Sequence, residues 1–303
     1  MTSKLLALTH EFDTMREKSS TIECWDVLLW DSGAAHLTDW YLVDAWYRSR
    51  VLELPRSGES MVPCVDMVNH SNEANAYYDE NAKQEAVLLL RPGCVVSAGD
   101  EITISYGESK SAAEMLFSYG FIDPKSATEA MTLPLDAMED DPLARAKLHI
   151  FSDQPTVQLR RVDGQVQWES PFAYLMCVNE EDGLEFRVLQ GTDGSRQLKM
   201  FWQEDDVTNS AKAFETLIEK HPLRQILKLR AVTVVGERLA DQLEQLRSSQ
   251  PLDSISNAAI APIRPGCLES ALLLRELEAT ILENALEALD HRVRIIHVFE
   301  RES

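Results

Sequence analysis

Two short segments carry the residues whose chemistry stands out in this sequence. Asn69 and His70 end an apolar run, and Tyr106 and Tyr119 each precede a glycine further along the chain. One amide, one imidazole and two phenols at strand or helix ends can face a ligand from such positions. Each residue taken singly also fits a plainer interpretation, in which Asn69 and His70 form a turn and the tyrosines are half-buried aromatics. The four residues form a site only if the fold brings them together.

The pattern from His70 to Gly107 predicts a small β-rich region after the first of these segments. Glu85 to Arg91 is a continuous apolar run rich in Val and Leu, and the Pro92-Gly93 dipeptide ends it as a turn. Residues 94–96 belong to the same strand-favouring stretch, and residues 102–104 alternate strictly. The imidazole and the first phenol are therefore expected at the ends of strands.

Helical spacing predicts the elements on either side of this region. Residues 9–52 favour helix, with Thr38 as the candidate N-cap of its best-patterned part. The apolar face of that part carries Trp40, Val43 and Tyr47. A second helix is predicted for residues 111–119, and Pro124 is expected to stop it because proline cannot continue a helix.

The C-terminal part of the chain favours long helices. Residues 131–148, with two prolines and an acidic run, mark the predicted domain boundary. Helices are predicted for residues 224–247 and 268–294, with residues 248–265 as the loop between them. In the last helix, apolar residues line one face and glutamates point away: Leu274, Leu277, Ile281, Leu282, Leu286, Leu289 and Val293 against Glu276, Glu278, Glu283 and Glu287.

The overall charge is strongly acidic, with 50 acidic against 29 basic residues and a formal net charge of −21. A field of that sign repels phosphate backbones, which argues against direct nucleic-acid binding, and it attracts basic protein segments. The same charge also fits a plain role in solubility. No apolar stretch approaches the roughly 18 residues of a membrane span, and five widely spaced cysteines favour a reduced compartment. The expected location is cytoplasmic or nuclear.

Three ordered motifs between residues 66 and 121 resemble a known family. They are Asp66-x-x-Asn69-His70-Ser71, then Gly99-Asp100-Glu101-Ile102-x-Ile104-Ser105-Tyr106-Gly107, then Lys110-Ser111-x-x-Glu114-x-Leu116-x-x-Tyr119-Gly120-Phe121. Upstream lie Trp46-x-x-Ser49-Arg50 and Met61-Val62-Pro63. The series is similar to the C-terminal half of the SET domain of protein-lysine methyltransferases, most closely the branch typified by the Rubisco large-subunit methyltransferase. The helical C-terminal region is similar in character to the substrate-binding domain of that branch.

The resemblance implies a role for seven residues. Asn69 and His70 would hold the adenosyl part of S-adenosyl-L-methionine, and Tyr106 would be the catalytic tyrosine. Further cofactor or pocket neighbours would be Ser49, Arg50, Asp66 and Tyr119. The Asn-His segment would be threaded against the tyrosine-bearing segment in a pseudoknot, an exception to the rule that chains avoid threading.

Methyl transfer to a lysine amine explains why these residue types would serve. The in-line displacement needs a deprotonated nitrogen that is aligned with the S–CH₃ bond and shielded from water. A phenol such as that of Tyr106 can orient the amine or stabilise the sulfonium. No metal is required, and the sequence shows no ligand cluster for one. A triad of Cys64, Asp66 and His70 is the weaker alternative, because two-residue spacings in a strand say little about geometry.

Two features depart from the family pattern. Residues 1–48 contain one glycine, Gly33, and no G-x-G segment of the kind whose amides approach the methionine end of the cofactor. The chain is therefore expected to start inside the helical insert of the domain, which would leave a hydrophobic face and a sheet edge exposed. Val51-Leu52 stands where the family often places an aromatic residue near the target lysine.

The predicted fold is α+β, with a truncated SET-type region of small β-sheets, a helical insert and a pseudoknot, followed by a mostly helical C-terminal domain. The predicted domains are residues 1–130, divided into insert (1–60) and SET core (61–123), and residues 131–303 as the substrate-binding domain. The predicted activity is S-adenosyl-L-methionine-dependent methylation of a lysine in a basic protein substrate. The alternative is a catalytically inactive SET-like module that binds a basic protein partner. The substrate, the number of methyl groups and the oligomeric state stay open.

Overall fold

Two compact units, Met1–Ala127 and Thr128–Ser303, make up the chain in a computed structural model. The structure describes residues 2–107, 110–125, 129–138, 140–190, 194–248 and 264–302. Within those ranges, no helix combines the length and the apolar character that crossing a membrane requires.

The first unit begins with several helices and not with one helix over residues 9–52. Helix α1 spans Thr2–Ser19, a π-helical segment covers Asp26–Asp31, and α2 spans Leu37–Arg50. Gly33 lies between the last two with a φ of +64°, a left-handed conformation that suits glycine and ends a right-handed helix. The helical character predicted for residues 9–52 is confirmed for most of that range, and the breaks between the helices are what the spacing alone did not locate.

The N-terminus of α2 lies two residues before the predicted one. His36 and not Thr38 is the N-cap, and its backbone N–H donates to Asp39 Oδ2 at 2.8 Å as part of a capping box. At the other end of the helix, Arg48 Nη1 donates to the Phe117 carbonyl at 2.6 Å and its guanidinium lies 3.9 Å from the centre of the Phe117 ring. This contact holds α2 against a later helix that carries a predicted site residue.

The apolar face of α2 is largely open to solvent. Trp40 is half-buried, but the neighbouring turns expose a contiguous set of large side chains at 39–57%: Leu42, Val43, Trp46 and Tyr47. The set follows i, i+3 and i+4 spacing, so its members lie along one side of the helix. We name these four residues the α2 stripe. Contiguous apolar surface of this kind binds hydrophobic dyes and promotes association.

The α2 stripe therefore predicts a measurable surface property. Replacing Leu42 and Trp46 together by glutamine is expected to lower the fluorescence of bound anilinonaphthalene sulfonate and to reduce self-association in sedimentation velocity. The matched control is Val95→Gln, because Val95 is 92% exposed and outside the stripe. An equal loss of dye binding in the control would show that the stripe is not a special surface.

Among the described residues, the β-rich region of the first unit consists of three two-stranded sheets. Two are antiparallel hairpins, β1 with β2 and β4 with β5, and the third pairs β3 with β6 in parallel. The bounds are Leu52–Leu54 (β1), Gly58–Ser60 (β2), Asn69–His70 (β3), Ala76–Glu80 (β4), Ala86–Leu90 (β5) and Thr103–Ile104 (β6). The prediction for 85–91 is confirmed by β5. Residues 94–96 lie outside any strand, which corrects their assignment.

Helix α3, Ala112–Tyr119, confirms the helix predicted for residues 111–119. Ser111 is its N-cap, and Ser111 and Glu114 exchange hydrogen bonds in a capping box. The helix ends at Gly120, whose φ of +81° is left-handed, and its N–H donates to the Leu116 carbonyl. Pro124 was predicted to stop this helix, and that prediction was wrong. The helix already ends at its glycine C-cap, Gly120.

In the ranges that the structure describes, the second unit combines two three-stranded antiparallel sheets with helices. The strands are Ala130–Pro134 (β7), Thr156–Val162 (β8), Gln165–Glu169 (β9), Leu184–Gln190 (β10), Arg196–Trp202 (β11) and Asp205–Asp206 (β12). The helices are Ala144–Phe151 (α4), Pro171–Met176 (α5), Phe214–Ile218 (α6), Arg224–Ser248 (α7) and Pro265–Glu302 (α8). Its large hydrophobic core includes Phe172, Leu184, Met200, Phe214, Leu239 and Leu282.

The two long helices α7 and α8 confirm the amphipathic patterns of residues 224–247 and 268–294. Ile281, Leu282 and Leu289 of α8 are buried as predicted. Glu278 departs from the prediction because it is half-buried, and this burial raises the pKa of its carboxyl group. Most of the predicted loop at 248–265 lies outside the described residues.

A buried lysine ties α4 to the end of α5. The Lys147 side chain is 1% exposed, and its ammonium donates to Asp141 Oδ2 at 2.6 Å, to the Met176 carbonyl at 3.0 Å and to the Val178 carbonyl at 2.7 Å. All three donors of the ammonium are thus used. A buried charge is tolerated when it is paired and fully hydrogen-bonded, so Lys147 serves the packing of the second unit.

Candidate active site

The parallel pair β3 and β6 brings the two polar segments of the first unit side by side. Asn69 lies opposite Thr103, His70 lies opposite Ile104, and the Ser71 N–H donates to the Ile104 carbonyl at 3.0 Å. Ile104 is 2% exposed, so the apolar residue of the alternating segment anchors this pair in the small core. The residues that follow β6 therefore leave the sheet next to the Asn-His segment.

His70 and Tyr106 meet directly although they lie 36 positions apart in sequence. The backbone N–H of Tyr106 donates to His70 Nδ1 at 3.1 Å, and the two ring centroids are 5.2 Å apart. Because Nδ1 accepts this hydrogen bond, the proton of the neutral imidazole lies on Nε2. Nε2 is 3.6 Å from Asp123 Oδ2, and the His70 side chain is only 3% exposed. The imidazole is thus fixed between the tyrosine backbone and a carboxylate.

The phenols of Tyr106 and Tyr119 lie in one aromatic cluster. The Tyr106 hydroxyl donates to the Val68 carbonyl at 2.8 Å, and the Tyr119 hydroxyl donates to the Tyr106 carbonyl at 3.3 Å. Their ring centroids are 4.6 Å apart, and the Phe121 ring lies 6.0–6.4 Å from the rings of His70, Tyr106 and Tyr119. Phe121 was part of the third motif but had no predicted role, and the structure adds it to the cluster.

Gly107 accounts for the turn that follows the first phenol. Its φ is +132°, a conformation that L side chains rarely adopt, and a Cβ placed there would lie 3.2 Å from Lys110 Cε. The Lys110 ammonium lies 5.7 Å from the centre of the Tyr119 ring. The Tyr-Gly pair is therefore a local requirement of the backbone at the site.

Burial raises the pKa of the Tyr106 hydroxyl above its ordinary value of 10.0; nearby Tyr119 raises it further, and the Arg50 guanidinium opposes the change. Burial also raises the pKa of Tyr119, with Tyr78 adding to it. The neutral phenols are thus favoured by the fold. The pKa of each phenol is higher in the folded protein than in the unfolded chain. The resulting contribution to the free energy of unfolding is therefore complete below the pKa of the unfolded chain, and it is lost as the pH rises through the pKa of the folded protein.

A prediction about the alkaline range follows. In an absorbance titration at the tyrosinate band, one phenol that ionises above the ordinary range of tyrosine should be missing from the curve of Tyr106→Phe, and one from that of Tyr119→Phe. Tyr77→Phe is the matched control, because Tyr77 is 38% exposed on β4. Loss of an early-ionising phenol in Tyr106→Phe would contradict the assignment, since it would mean that the native environment favours tyrosinate.

Arg50 and Asp66 form a second group beside the cluster. Arg50 Nη1 lies 3.6 Å from Asp66 Oδ2 and donates to Met67 Sδ at 2.9 Å. Ser49 does not join them, because its hydroxyl donates to the Trp46 carbonyl within α2 at 3.1 Å. Six of the seven predicted site residues thus lie in two adjoining groups, and in the described part of the chain no hydrogen bond links Ser49 to either.

The alternative triad of Cys64, Asp66 and His70 is wrong. Asp66 is paired with Arg50, and the His70 ring is engaged by the Tyr106 backbone and approached by Asp123. Cys64 is exposed and has a φ of +75° at the start of a short 3₁₀ turn. The three side chains therefore do not form a nucleophile, base and orienting acid. Among the described residues there is also no group of three or more His, Cys, Asp or Glu side chains with the placement of a metal site.

Sequence reasoning missed two residues that brace Asn69. Asn69 Nδ2 donates to Glu101 Oε1 at 2.6 Å, and Asn75 Nδ2 donates to the Glu101 carbonyl at 2.9 Å. Asn75 Oδ1 in turn accepts the Thr103 N–H at 2.9 Å. Glu101 was visible only as a member of the second motif. Asn75 carries no signal of periodicity, so only the fold reveals its position.

Comparison with known proteins identifies relatives of this chain. A protein-family profile described as cytochrome c lysine N-methyltransferase 1 matches residues 47–168. SET domain-containing protein 8 of Schizosaccharomyces pombe is 30% identical over 209 residues, which are 68% of this chain and 47% of that protein. The chloroplastic ribulose-1,5 bisphosphate carboxylase/oxygenase large subunit N-methyltransferase of Pisum sativum is 32% identical over 136 residues, covering 42% of this chain and 28% of that protein. The chain spans less than half the length of these relatives.

Solved structures share the fold. The SET domain of LSMT bound to methyllysine and AdoHcy matches 97% of this chain and 64% of its own, with 18% identity and a TM-score of 0.61. Rubisco LSMT bound to AdoMet matches 96% of this chain and 64% of its own, with 19% identity and a TM-score of 0.60. The resemblance stated from the motifs and the α+β fold class are therefore confirmed.

Proposed function

We propose that this chain, a SET-domain protein of the Rubisco large-subunit methyltransferase-like branch, carries the site of a protein-lysine N-methyltransferase that uses S-adenosyl-L-methionine. The observation that carries the proposal is the junction of β3 with the segment after β6, where His70 holds the Tyr106 backbone at 3.1 Å. Sequence relatives named as lysine methyltransferases of protein substrates support it. The alternative, an inactive module, has no observation of its own in favour.

The residues at the site fit the nucleoside and the charged sulfur of the cofactor. Asn69 is exposed beside the aromatic cluster, so its amide is accessible to a polar ligand edge, and the neighbouring His70 side chain accepts from the Tyr106 backbone N–H. When bound, S-adenosyl-L-methionine supplies an electrophilic methyl group on a sulfonium. Arg50 contacts Asp66 and Met67, and these contacts support a proposed role in holding the site together.

Tyr106 has the geometry of an acceptor for positive charge. Its hydroxyl proton is committed to the Val68 carbonyl at 2.8 Å, so the lone pairs of the phenol oxygen stay available to the site. Burial raises the pKa of this hydroxyl, so it remains neutral at physiological pH. A neutral oxygen can orient a lysine nitrogen or stabilise a nearby sulfonium without a proton being transferred. The rings of Tyr119 and Phe121 lie 4.6 Å and 6.4 Å from the Tyr106 ring and partly shield it from solvent.

The acceptor is proposed to be a lysine in a basic protein segment, in the cytoplasm or the nucleus. The formal net charge of −21 supports attraction of basic segments and repulsion of nucleic-acid phosphate. The helical second unit is proposed as the part that docks the substrate, as the resemblance implies.

Calorimetric titration of the 303-residue chain with S-adenosyl-L-methionine tests the proposal. Saturable heat with an affinity in the micromolar range is expected, followed by methyl-lysine detected by mass spectrometry in a lysine-rich protein incubated with the complex. Histone-like and ribosomal basic proteins serve as acceptors, and an acidic protein is the control. Absence of saturable binding would overturn the proposal for this chain.

A further inference from the structure

We infer that Glu101 is a positioning residue: it fixes the orientation of the Asn69 amide so that the amide carbonyl oxygen is presented to an N–H donor of the bound cofactor. The inference rests on the proposed function for the identity of the ligand. It goes beyond that function because it states why the asparagine acts as an acceptor and which residue makes it one.

The first step is the contact between the two side chains. Asn69 Nδ2 donates to Glu101 Oε1 at 2.6 Å, a length typical of a charge-assisted hydrogen bond. An ionised carboxylate has only acceptors, so it can pair with the NH₂ group of the amide and not with its oxygen. The carboxylate therefore selects one of the two orientations, related by a 180° flip, that an asparagine amide can adopt.

The second step is the anchoring of the Glu101 backbone, from which the carboxylate extends. The backbone carbonyl of Glu101 accepts from Asn75 Nδ2 at 2.9 Å, and Asn75 Oδ1 accepts from the Thr103 N–H at 2.9 Å. Thr103 is the residue that lies opposite Asn69 in the parallel pair. The four residues thus close a ring of contacts around the start of β6. The Asn75 carbonyl also accepts the Arg91 N–H at 2.8 Å, which ties the ring to the base of the β4–β5 hairpin.

The third step is what this leaves for a ligand. With Nδ2 held by Glu101, the other amide atom of Asn69 is Oδ1, and within the described residues nothing donates to it. Asn69 is exposed, so this oxygen is accessible. A carbonyl oxygen accepts from N–H groups, and the cofactor offers two, the exocyclic amine of the adenine and the ammonium of the amino-acid end. Both have the donor chemistry that the fixed amide selects.

The test compares Glu101→Gln with Glu85→Gln. Glutamine has the shape of glutamate but can donate as well as accept, so it permits the Asn69 amide to flip. Glu85 is a matched control in the same unit, because it accepts from Asn81 Nδ2 at 2.8 Å in an Asn–Glu pair away from the site. In calorimetry with S-adenosylhomocysteine, Kd is expected to rise about tenfold in Glu101→Gln and to stay within about twofold in Glu85→Gln. In turnover, KM for the cofactor should rise while kcat changes little.

A reciprocal pair of substitutions separates orientation from a general structural effect. In Asn69→Asp with Glu101→Gln, the glutamine NH₂ can donate to one aspartate oxygen and leave the other as an acceptor for the ligand. This double variant should recover most of the affinity that Glu101→Gln loses. Analogues that lack either the adenine amine or the amino-acid ammonium identify the donor. The analogue without the true donor should bind the parent protein more weakly than the complete ligand does. In Glu101→Gln, the same analogue and the complete ligand should bind with similar affinity.

One readout needs no cofactor, so failure of the inference can be told from failure of the proposed function. The Asn69 side-chain NH₂ signals in ¹⁵N nuclear magnetic resonance should shift downfield and exchange slowly in the parent protein. In Glu101→Gln they should lose both properties, whereas those of Asn81 should not change. Unchanged Asn69 signals, or an unchanged Kd in a chain that binds, would overturn the role of Glu101. If the parent chain binds no cofactor but the NH₂ signals change as expected, the assignment of the ligand is overturned and the orientation of the Asn69 amide by Glu101 still holds.

Discussion

Replacement of Tyr106 by phenylalanine is expected to lower kcat for lysine methylation by about 10²-fold or more, in the range found when one preorganised polar group is removed from an active site. The substitution removes the only oxygen of the side chain and leaves the Val68 carbonyl, which accepts from it at 2.8 Å, without this donor. The rings of His70 and Tyr119 still pack against phenylalanine, so the cofactor Kd is expected to change far less than kcat. Initial rates with saturating cofactor measure the effect.

Two variants serve as controls for this expectation. Tyr119→Phe removes a hydroxyl that donates to the Tyr106 carbonyl at 3.3 Å, so a smaller loss of rate is expected from it. Tyr77→Phe, on an exposed position of β4, should keep the full rate. Equal turnover in Tyr106→Phe and in Tyr77→Phe would remove Tyr106 from the mechanism.

Lys147→Met is expected to destabilise the second unit by about 3–5 kcal/mol, the range for removing one partner of a buried ion pair. The substitution removes the ammonium and leaves the Asp141 carboxylate and the carbonyls of Met176 and Val178 without their donor. The Asp141 side chain is 9% exposed, so water compensates little of the loss. Native-state hydrogen exchange of amides in α4 and α5 gives the free energy of unfolding of this unit.

The control for that measurement is Lys212→Met. Lys212 pairs with Asp153, and both side chains are 59% exposed, so the change should stay within about 1 kcal/mol. If Lys147→Met also stays within that range, the buried ammonium is not a determinant of stability, and the packing of methionine replaces its contribution.

Residues that act through local rules were predictable from the sequence. The strand before Pro92, the helix after Ser111 and the long amphipathic helices follow from periodicity, turn dipeptides and capping. Errors arose where a single backbone conformation overrides an average pattern. Gly33 interrupts the predicted helix with a φ of +64°, and Gly120 ends α3 before Pro124 is reached.

The candidate site was predictable only in part, because its assembly is non-local. The resemblance supplied Asn69, His70 and Tyr106, and the structure places them around one parallel strand pair. The partners Glu101 and Asn75 were not predicted, since their roles depend on hydrogen bonds between segments that are distant in sequence. Asp123 was missed for the same reason, and its contact with the imidazole arises only after α3 has returned the chain to β3.

The parallel pairing of β3 and β6 has a consequence for binding measurements. The two strands are joined by residues 71–102, so the proposed site exists only in molecules in which that stretch has closed on itself and paid the entropy of loop closure. The apparent affinity is the intrinsic affinity scaled by the closed fraction. Substitutions that fray the β4–β5 hairpin, far from any ligand atom, should therefore weaken cofactor binding in proportion to the closed population they remove, and saturating ligand should restore the hairpin.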